Sequence, residues 1–210
     1  MKVCYCVSVM MLLLATGLLA DPGPEQRSVQ ALANDLLAAS QAIAKGQNLE
    51  TNRTKMEAGF NWQPLSATCL ALPSVTANKI DAGLKKQFET VIKNLLSEMA
   101  FQNFGRLWKK ADSYHITKTD VTGATATVEV TFSSNSGREF DLCFSFAQMD
   151  LKWSVTDIAN DGVSYSDSVR EEIMGFLQRD SFANLLVALE KRRIAVKTAS
   201  ARNTANDKTP

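Results

Sequence analysis

The chain has very little of what catalysis usually needs. Its 210 residues hold a single histidine, His115, which falls in a predicted strand among polar neighbours and is expected to be hydrogen-bonded or to face solvent. No G-x-S-x-G, H-E-x-x-H or glycine-rich phosphate loop occurs anywhere, so the common nucleophile, zinc and nucleotide frameworks are excluded. Cysteine is scarce too. Cys4 and Cys6 sit in the first residues, leaving Cys69 and Cys143, which are too far apart for a C-x-x-C metal or redox motif. For that pair a structural disulfide and two buried free thiols stand as equal alternatives. An excess of charge of one sign is also missing: 23 Lys and Arg face 22 Asp and Glu, which argues against a globally basic nucleic-acid binder. The pattern shows neither an internal repeat nor a long linker.

What is present begins with an apolar run from Val3 to Ala20 behind Lys2, ending in "ATGLLA" before the polar, helix-breaking "DPGPEQ". This reads as a secretory signal sequence over residues 1–20 cleaved near Ala20, although Leu18 is larger than usual two residues before the cut. The run is about as long as the ~18–20 residues of a spanning helix, yet its terminal position favours a cleaved signal over an anchor. No cysteine follows it directly, so a lipid-anchored N-terminus is not indicated. Removing it takes away Lys2 and leaves a chain of no net charge, long enough for one domain over residues 21–193. From 194 to 210 the chain is expected to be a basic, disordered tail. Between positions 191 and 210, Lys191, Arg192, Arg193, Lys197, Arg202 and Lys208 face only Asp207. Weak attraction to an anionic membrane or an acidic partner is the functional alternative for that tail.

Hydrophobic periodicity changes once along the chain. Val29, Leu32, Leu36, Leu37 and Ile43 follow helical spacing between Gln26 and Gln47, and Gly46, Gly59 and Pro64 then break the next stretch into shorter pieces. A long amphipathic helix follows, with Thr76 as its expected N-cap and Ile80, Leu84, Phe88, Val91, Ile92, Leu95 and Met99 on one face. After Lys110 the period becomes two. Ala124, Ala126, Val128, Val130 and Phe132 alternate with polar residues, "NSGR" from Asn135 turns the chain, and Phe140, Leu142, Phe144 and Phe146 alternate again. Leu151, Trp153 and Val155 form a further strand, and a weaker one runs near Tyr114 to Val121. Helices near Ser168 to Arg179 and Ser181 to Arg193 close the pattern. The predicted class is α+β, with helices covering one face of a curved antiparallel sheet.

The corner "DIANDG" at Asp157 to Gly162 resembles an acidic calcium loop, which needs oxygen ligands at its third position and a glutamate at its twelfth. Ala159 and Ser168 occupy those positions, so calcium is rejected and metal ligands are expected to be none. Asp161-Gly162 is turn chemistry, and Ser168 with Glu171 fits a capping box for the next helix. Asp157 as a base in an apolar pocket of a cone-shaped α+β enzyme is the alternative function, though the sequence offers it no oxyanion partner.

Apolar residues are abundant, and they are either packed core or the walls of a cavity between sheet and helices. The candidate wall is Phe88, Ile92 and Leu95 on the long helix, with Val128, Val130, Phe132, Leu142, Phe144, Trp153 and Val155 on the strands. Some of these must be plain core.

The order of these elements, with "VTANKIDAGLKKQFETVIKNLL" before the strands and "WSVTDIANDGVSYSDSVREEIMGFLQRDSFANLLVALEKR" after them, resembles the MlaC, or toluene-tolerance, family over Ala31 to Arg193. Trp153, Val155, Asp157, Gly162, Val163 and Ser164 are the most specific part, followed by an apolar helix and the final "LLVALEKR" helix. Cys69 and Cys143 lie outside the family's general pattern. The resemblance implies a nuclear-transport-factor-2-like fold and a periplasmic carrier without cofactor or catalytic residues. Such a carrier binds phospholipid acyl chains and shuttles lipid between an outer-membrane lipoprotein complex and an inner-membrane ABC transporter complex, with the chain acting as a monomer. On this reading the Asp157 corner is pocket architecture. A purely structural envelope adaptor remains as a third reading.

Overall fold

The computed structural model describes residues 22–71 and 80–206. The first helix, α1, spans Pro24–Ala44 and carries Pro24 in its first turn, where the missing N–H costs nothing and the fixed φ suits the helix. It stops at Gly46, whose φ of 69° is left-handed. There the Gly46 N–H donates to the Ile43 carbonyl and the Gln47 N–H to the Ala42 carbonyl, the paired bonds of a Schellman motif. Two short helices follow, α2 at Leu49–Gly59 and α3 at Trp62–Cys69. Between them Phe60 bridges to Val155, and the Asn61 N–H donates to the Val155 carbonyl, so their junction covers a sheet edge that would otherwise be open.

The long helix α4 runs Ala82–Trp108 over 27 residues, about 40 Å at 1.5 Å per residue. Its observed N-cap is Asp81, whose carboxylate accepts from the N–H groups of Gly83 at 2.7 Å and Leu84 at 3.3 Å. Thr76, the expected cap, lies outside the described residues. The chain then forms one antiparallel sheet in sequence order: β1 Ser113–Thr122, β2 Thr125–Ser133, β3 Glu139–Met149, β4 Lys152–Asn160 and the two-residue β5 Val163–Ser164. Asp161 and Gly162, with φ of 49° and 79°, make the two-residue turn between β4 and β5. Both turn positions need positive φ, which explains the Asp-Gly pair. Register shifts near Thr117 and Thr156 bend the strands, as bulges do. Ala126, Val128, Val130 and Phe132 are buried while Thr125 and Glu129 are exposed, so one face is covered, in line with the α+β expectation. His115 is exposed on β1.

Helix α5 spans Tyr165–Leu177 and α6 spans Phe182–Asn206. Two expectations are corrected here. The cap of α5 is Ser164, whose hydroxyl oxygen accepts from the Asp167 N–H at 3.1 Å; Ser168 instead sits inside the helix and donates to the Ser164 carbonyl. The stretch 194–206 is helix and not a disordered tail. Val196 packs against the helical core, and the Gln102 amide donates to the Val196 carbonyl at 2.6 Å. Packing on α4 outweighs the charge run. Among the described residues no helix is long and apolar enough to cross a membrane.

Two apolar cores result. One joins α1, the C-terminal part of α4 and the sheet; the other is wholly helical, made by α3, the N-terminal half of α4, α5 and α6. Helix α4 is long enough to belong to both.

Candidate functional site

The C-terminal third of α4 meets the sheet through rings. Phe104 stacks on Phe144 of β3 with centroids 6.3 Å apart and planes at 9°. Four residues on, Trp108 meets Phe132 of β2 edge to face at 5.5 Å, and its indole N–H donates to the Ser40 hydroxyl of α1 at 2.8 Å. These rings hold the helix off the strands. Beside the Phe104 stack lies a cavity of about 500 Å³. Ala100, Asn103, Phe104 and Leu107 of α4 form one wall, Leu142 of β3 and Ile158 of β4 another. Asp161, Val163 and Tyr165 close the end at the β4–α5 corner. Its volume falls within the range of ordinary ligand sites, ~300–1,000 Å³.

The walls are uncharged except at the rim. Burial pushes the Tyr165 hydroxyl well above its ordinary range, and its oxygen lies 3.2 Å from the Met99 sulfur, so at neutral pH it presents a neutral phenol. The nearby corner is braced by Asp157. One carboxylate oxygen accepts from the N–H groups of Ile158 at 2.9 Å and Ser166 at 3.2 Å. The other accepts from the hydroxyls of Ser164 at 2.5 Å and Ser166 at 2.9 Å. Four donors occupy both oxygens, which leaves the carboxylate committed to joining β4 to the start of α5 and without a free lone pair for a substrate proton. It also orients Ser164 to cap α5. Asp157 is not among the residues that line the cavity.

Cys69 and Cys143 are both free thiols, so of the two cysteine alternatives the disulfide is not formed. Cys69 is buried in α3, its sulfur 3.7 Å from the Ser166 carbonyl oxygen, and burial, aided by the Asp157 carboxylate, pushes the thiol up to about 12. Burial and then Glu129 also raise Cys143, on the sheet face opposite Phe144. Neither is a thiolate at neutral pH, and nucleophilic sulfur chemistry needs the thiolate. Among the described residues no group of three His, Cys, Asp or Glu converges as a metal site.

The candidate wall residues divide. Leu142 lines the cavity, and Phe144 backs it through Phe104. Val128, Val130, Phe132, Trp153 and Val155 are core beneath α1, packed with Val29, Leu36 and Leu37. Phe88, Ile92 and Leu95 are fully buried in the helical core with Cys69, Val169 and Ile173, so they do not face Val128 or Val130 across a cavity. Periodicity marks the apolar face of a helix, but not which third of a 40 Å helix reaches the sheet. Ala100, Asn103, Leu107, Ile158, Val163 and Tyr165 also line the cavity and are not among the candidates read from the sequence. On α4 the sequence signal for these residues is a second i, i+3, i+4, i+7 stripe, Ala100, Asn103, Phe104 and Leu107, turned by roughly 110° from the stripe of Phe88, Ile92 and Leu95.

Comparison with curated proteins gives no match. Among solved structures, the phospholipid-binding protein from Ralstonia solanacearum, determined in complex with a phospholipid, has a similar fold with a TM-score of 0.64. Identity is 15%, over 82% of this chain and 98% of that one, a likeness that concerns the fold. The model of the family described as MlaC protein matches residues 26–191, four fifths of the sequence and both cores. The chain therefore belongs to the MlaC family.

Proposed function

We propose that this protein is a periplasmic phospholipid carrier that holds acyl chains in the cavity between α4 and strands β3 and β4. The observation that carries this reading is the cavity itself, apolar on its walls, with Leu107 facing Leu142 and Ile158 and with the nearby Asp157 carboxylate fully engaged. Family membership supports it, and so does the lipid bound to the similar protein from Ralstonia solanacearum. Residues 1–20 serve as a cleaved signal peptide on this reading, and residues 21–193 as the lipid-binding domain, acting as a monomer.

Burying a methylene gains about 0.8 kcal/mol, and a diacyl lipid with on the order of thirty of them gains roughly 20 kcal/mol gross. A bilayer offers a similar amount, so the carrier can exchange lipid with a membrane system at small net cost. Direction then comes from partners. These are an inner-membrane ABC transporter complex and an outer-membrane lipoprotein complex, between which the protein shuttles its cargo. Nothing in this task requires bond chemistry, only a cavity that opens.

Mass spectrometry of lipids extracted from the mature protein, purified after periplasmic export, tests the reading. Diacyl phospholipid at near one molecule per chain is expected. A protein that emerges empty, and that takes up no lipid from vesicles after delipidation, refutes it.

A further inference from the structure

Next to the apolar cavity lies a second basin, of about 600 Å³, that shares Asn103, Leu107, Asn160 and Asp161 with it. The two spaces are therefore one continuous hollow with an apolar end and a polar end. Arg106 and Lys110 project into the polar end from the last turn of α4 and just beyond it, and Arg138 from the turn between β2 and β3. Among the described residues no ion pair takes up any of these three side chains. Two carboxylates also border the basin, Glu139 and Asp161. Asp161 accepts from the Asn160 amide at 3.3 Å and Glu139 from the Ser133 hydroxyl at 3.4 Å.

Cations at the end of α4 have a bland explanation, since they offset the negative end of the helix dipole. That accounts for Arg106 and Lys110. It does not account for Arg138, which reaches the same basin from a different element, the turn between β2 and β3.

We propose that this basin is a phosphate seat, which holds the headgroup phosphodiester of the lipid whose acyl chains occupy the adjoining cavity. The inference rests on the carrier reading and adds to it the part of the lipid that is recognised. A glycerophospholipid places its phosphate just beyond the glycerol to which the chains are esterified. With chains against Leu107 and Leu142, the glycerol passes the shared Asn103 and Asn160, and the phosphate arrives among Arg106, Lys110 and Arg138. Guanidinium forks match phosphate oxygens in pairs.

The test uses delipidated mature protein and mixed vesicles of phosphatidylglycerol and diacylglycerol with identical chains, followed by extraction and quantification of what was taken up. The wild type is expected to enrich the phospholipid about tenfold or more over the vesicle ratio, the effect of one or two good charge-assisted hydrogen bonds. Arg106→Gln with Arg138→Gln should return the ratio close to that of the vesicle while total lipid per chain is retained. Arg106→Lys with Arg138→Lys, which keeps the charge and loses the bidentate fork, should keep part of the enrichment, between that of the wild type and that of the Gln pair. Equal uptake of both lipids by the wild type overturns the phosphate seat and leaves the carrier reading standing. Loss of all lipid in the Gln pair, with its thermal stability retained, overturns the seat as well, because the arginines would then be shaping the cavity. Uptake of neither lipid by the wild type defeats the carrier reading and the seat together. Millimolar inorganic phosphate should leave the enrichment unchanged; if it abolishes the enrichment, the basin belongs to free phosphate and the proposal fails.

Discussion

Filling the cavity with tryptophan should separate cavity wall from core in one pair of variants. Ala100 lies half-buried on α4 and faces the hollow, whereas Val130 has no exposed surface and is packed in the sheet core. A tryptophan at 100 can enter a space of about 500 Å³ and bury part of its ~150–250 Å², which at ~25 cal/mol/Å² offsets the cost of ordering it. The same residue at 130 has nowhere to go, and overpacking of this kind costs about 1–3 kcal/mol. For a mature chain of this size each kcal/mol shifts the melting temperature by roughly 2–4 °C. Delipidated Ala100→Trp should therefore melt within a few degrees of delipidated wild type, and Val130→Trp lower by about 2–12 °C. Differential scanning fluorimetry reads the melting temperatures, and lipid extraction reads occupancy. Ala100→Trp should hold little lipid, while any folded fraction of Val130→Trp keeps its full share. The reasoning is refuted if Ala100→Trp retains wild-type lipid content, or if Val130→Trp is as stable as wild type and empty.

Asp157→Asn replaces one acceptor oxygen by a donor amide facing Ser or backbone donors, so unfolding in urea should show a loss of about 1–3 kcal/mol with lipid content per folded chain unchanged; abolished lipid binding in a stable variant would give the carboxylate a direct role. Cys69 binds its proton more tightly when folded, up to about 12 against an ordinary value of 9.0. Above pH 9 the unfolded chain thus loses a proton that the folded chain keeps, and stability present below that pH falls as pH rises toward 12, by up to about 1.4 kcal/mol per pH unit. Urea unfolding between about pH 8 and about pH 11 should show a shallower decline in Cys69→Ala than in wild type, and identical slopes would contradict the burial argument.

Much of this architecture was legible because its physics is local. The alternation from Ala124 to Phe132 has only one reading as a half-buried strand, and Asp161-Gly162 supplies the positive φ that a two-residue turn demands. The failures are of another kind. Ser168 and Glu171 satisfy a capping pattern in sequence, yet Asp157 reaches across from β4 to set Ser164 as the cap, a tertiary bond with no local signature. Residues 194–206 carry the charge run of a solvated tail, but α4 is long enough to give Val196 a surface to pack on. The cavity was less legible. On α4, Ala100, Phe104 and Leu107 lie on a stripe turned roughly 120° from that of Phe88, Ile92 and Leu95, and the placement of α4 across two cores decides which stripe borders the cavity.

The most direct test of where lipid sits is photo-crosslinking with a phospholipid that carries a diazirine near the end of one acyl chain. The probe is loaded into delipidated mature protein and irradiated, and the adducts are mapped by peptide mass spectrometry. Chains lying between α4 and the strands should label peptides containing Phe104 and Leu107, together with Leu142 or Ile158. Labelling concentrated on Phe88, Ile92 and the α5–α6 peptides around Ile173 and Leu185 would instead put the chains in the helical core and contradict the account.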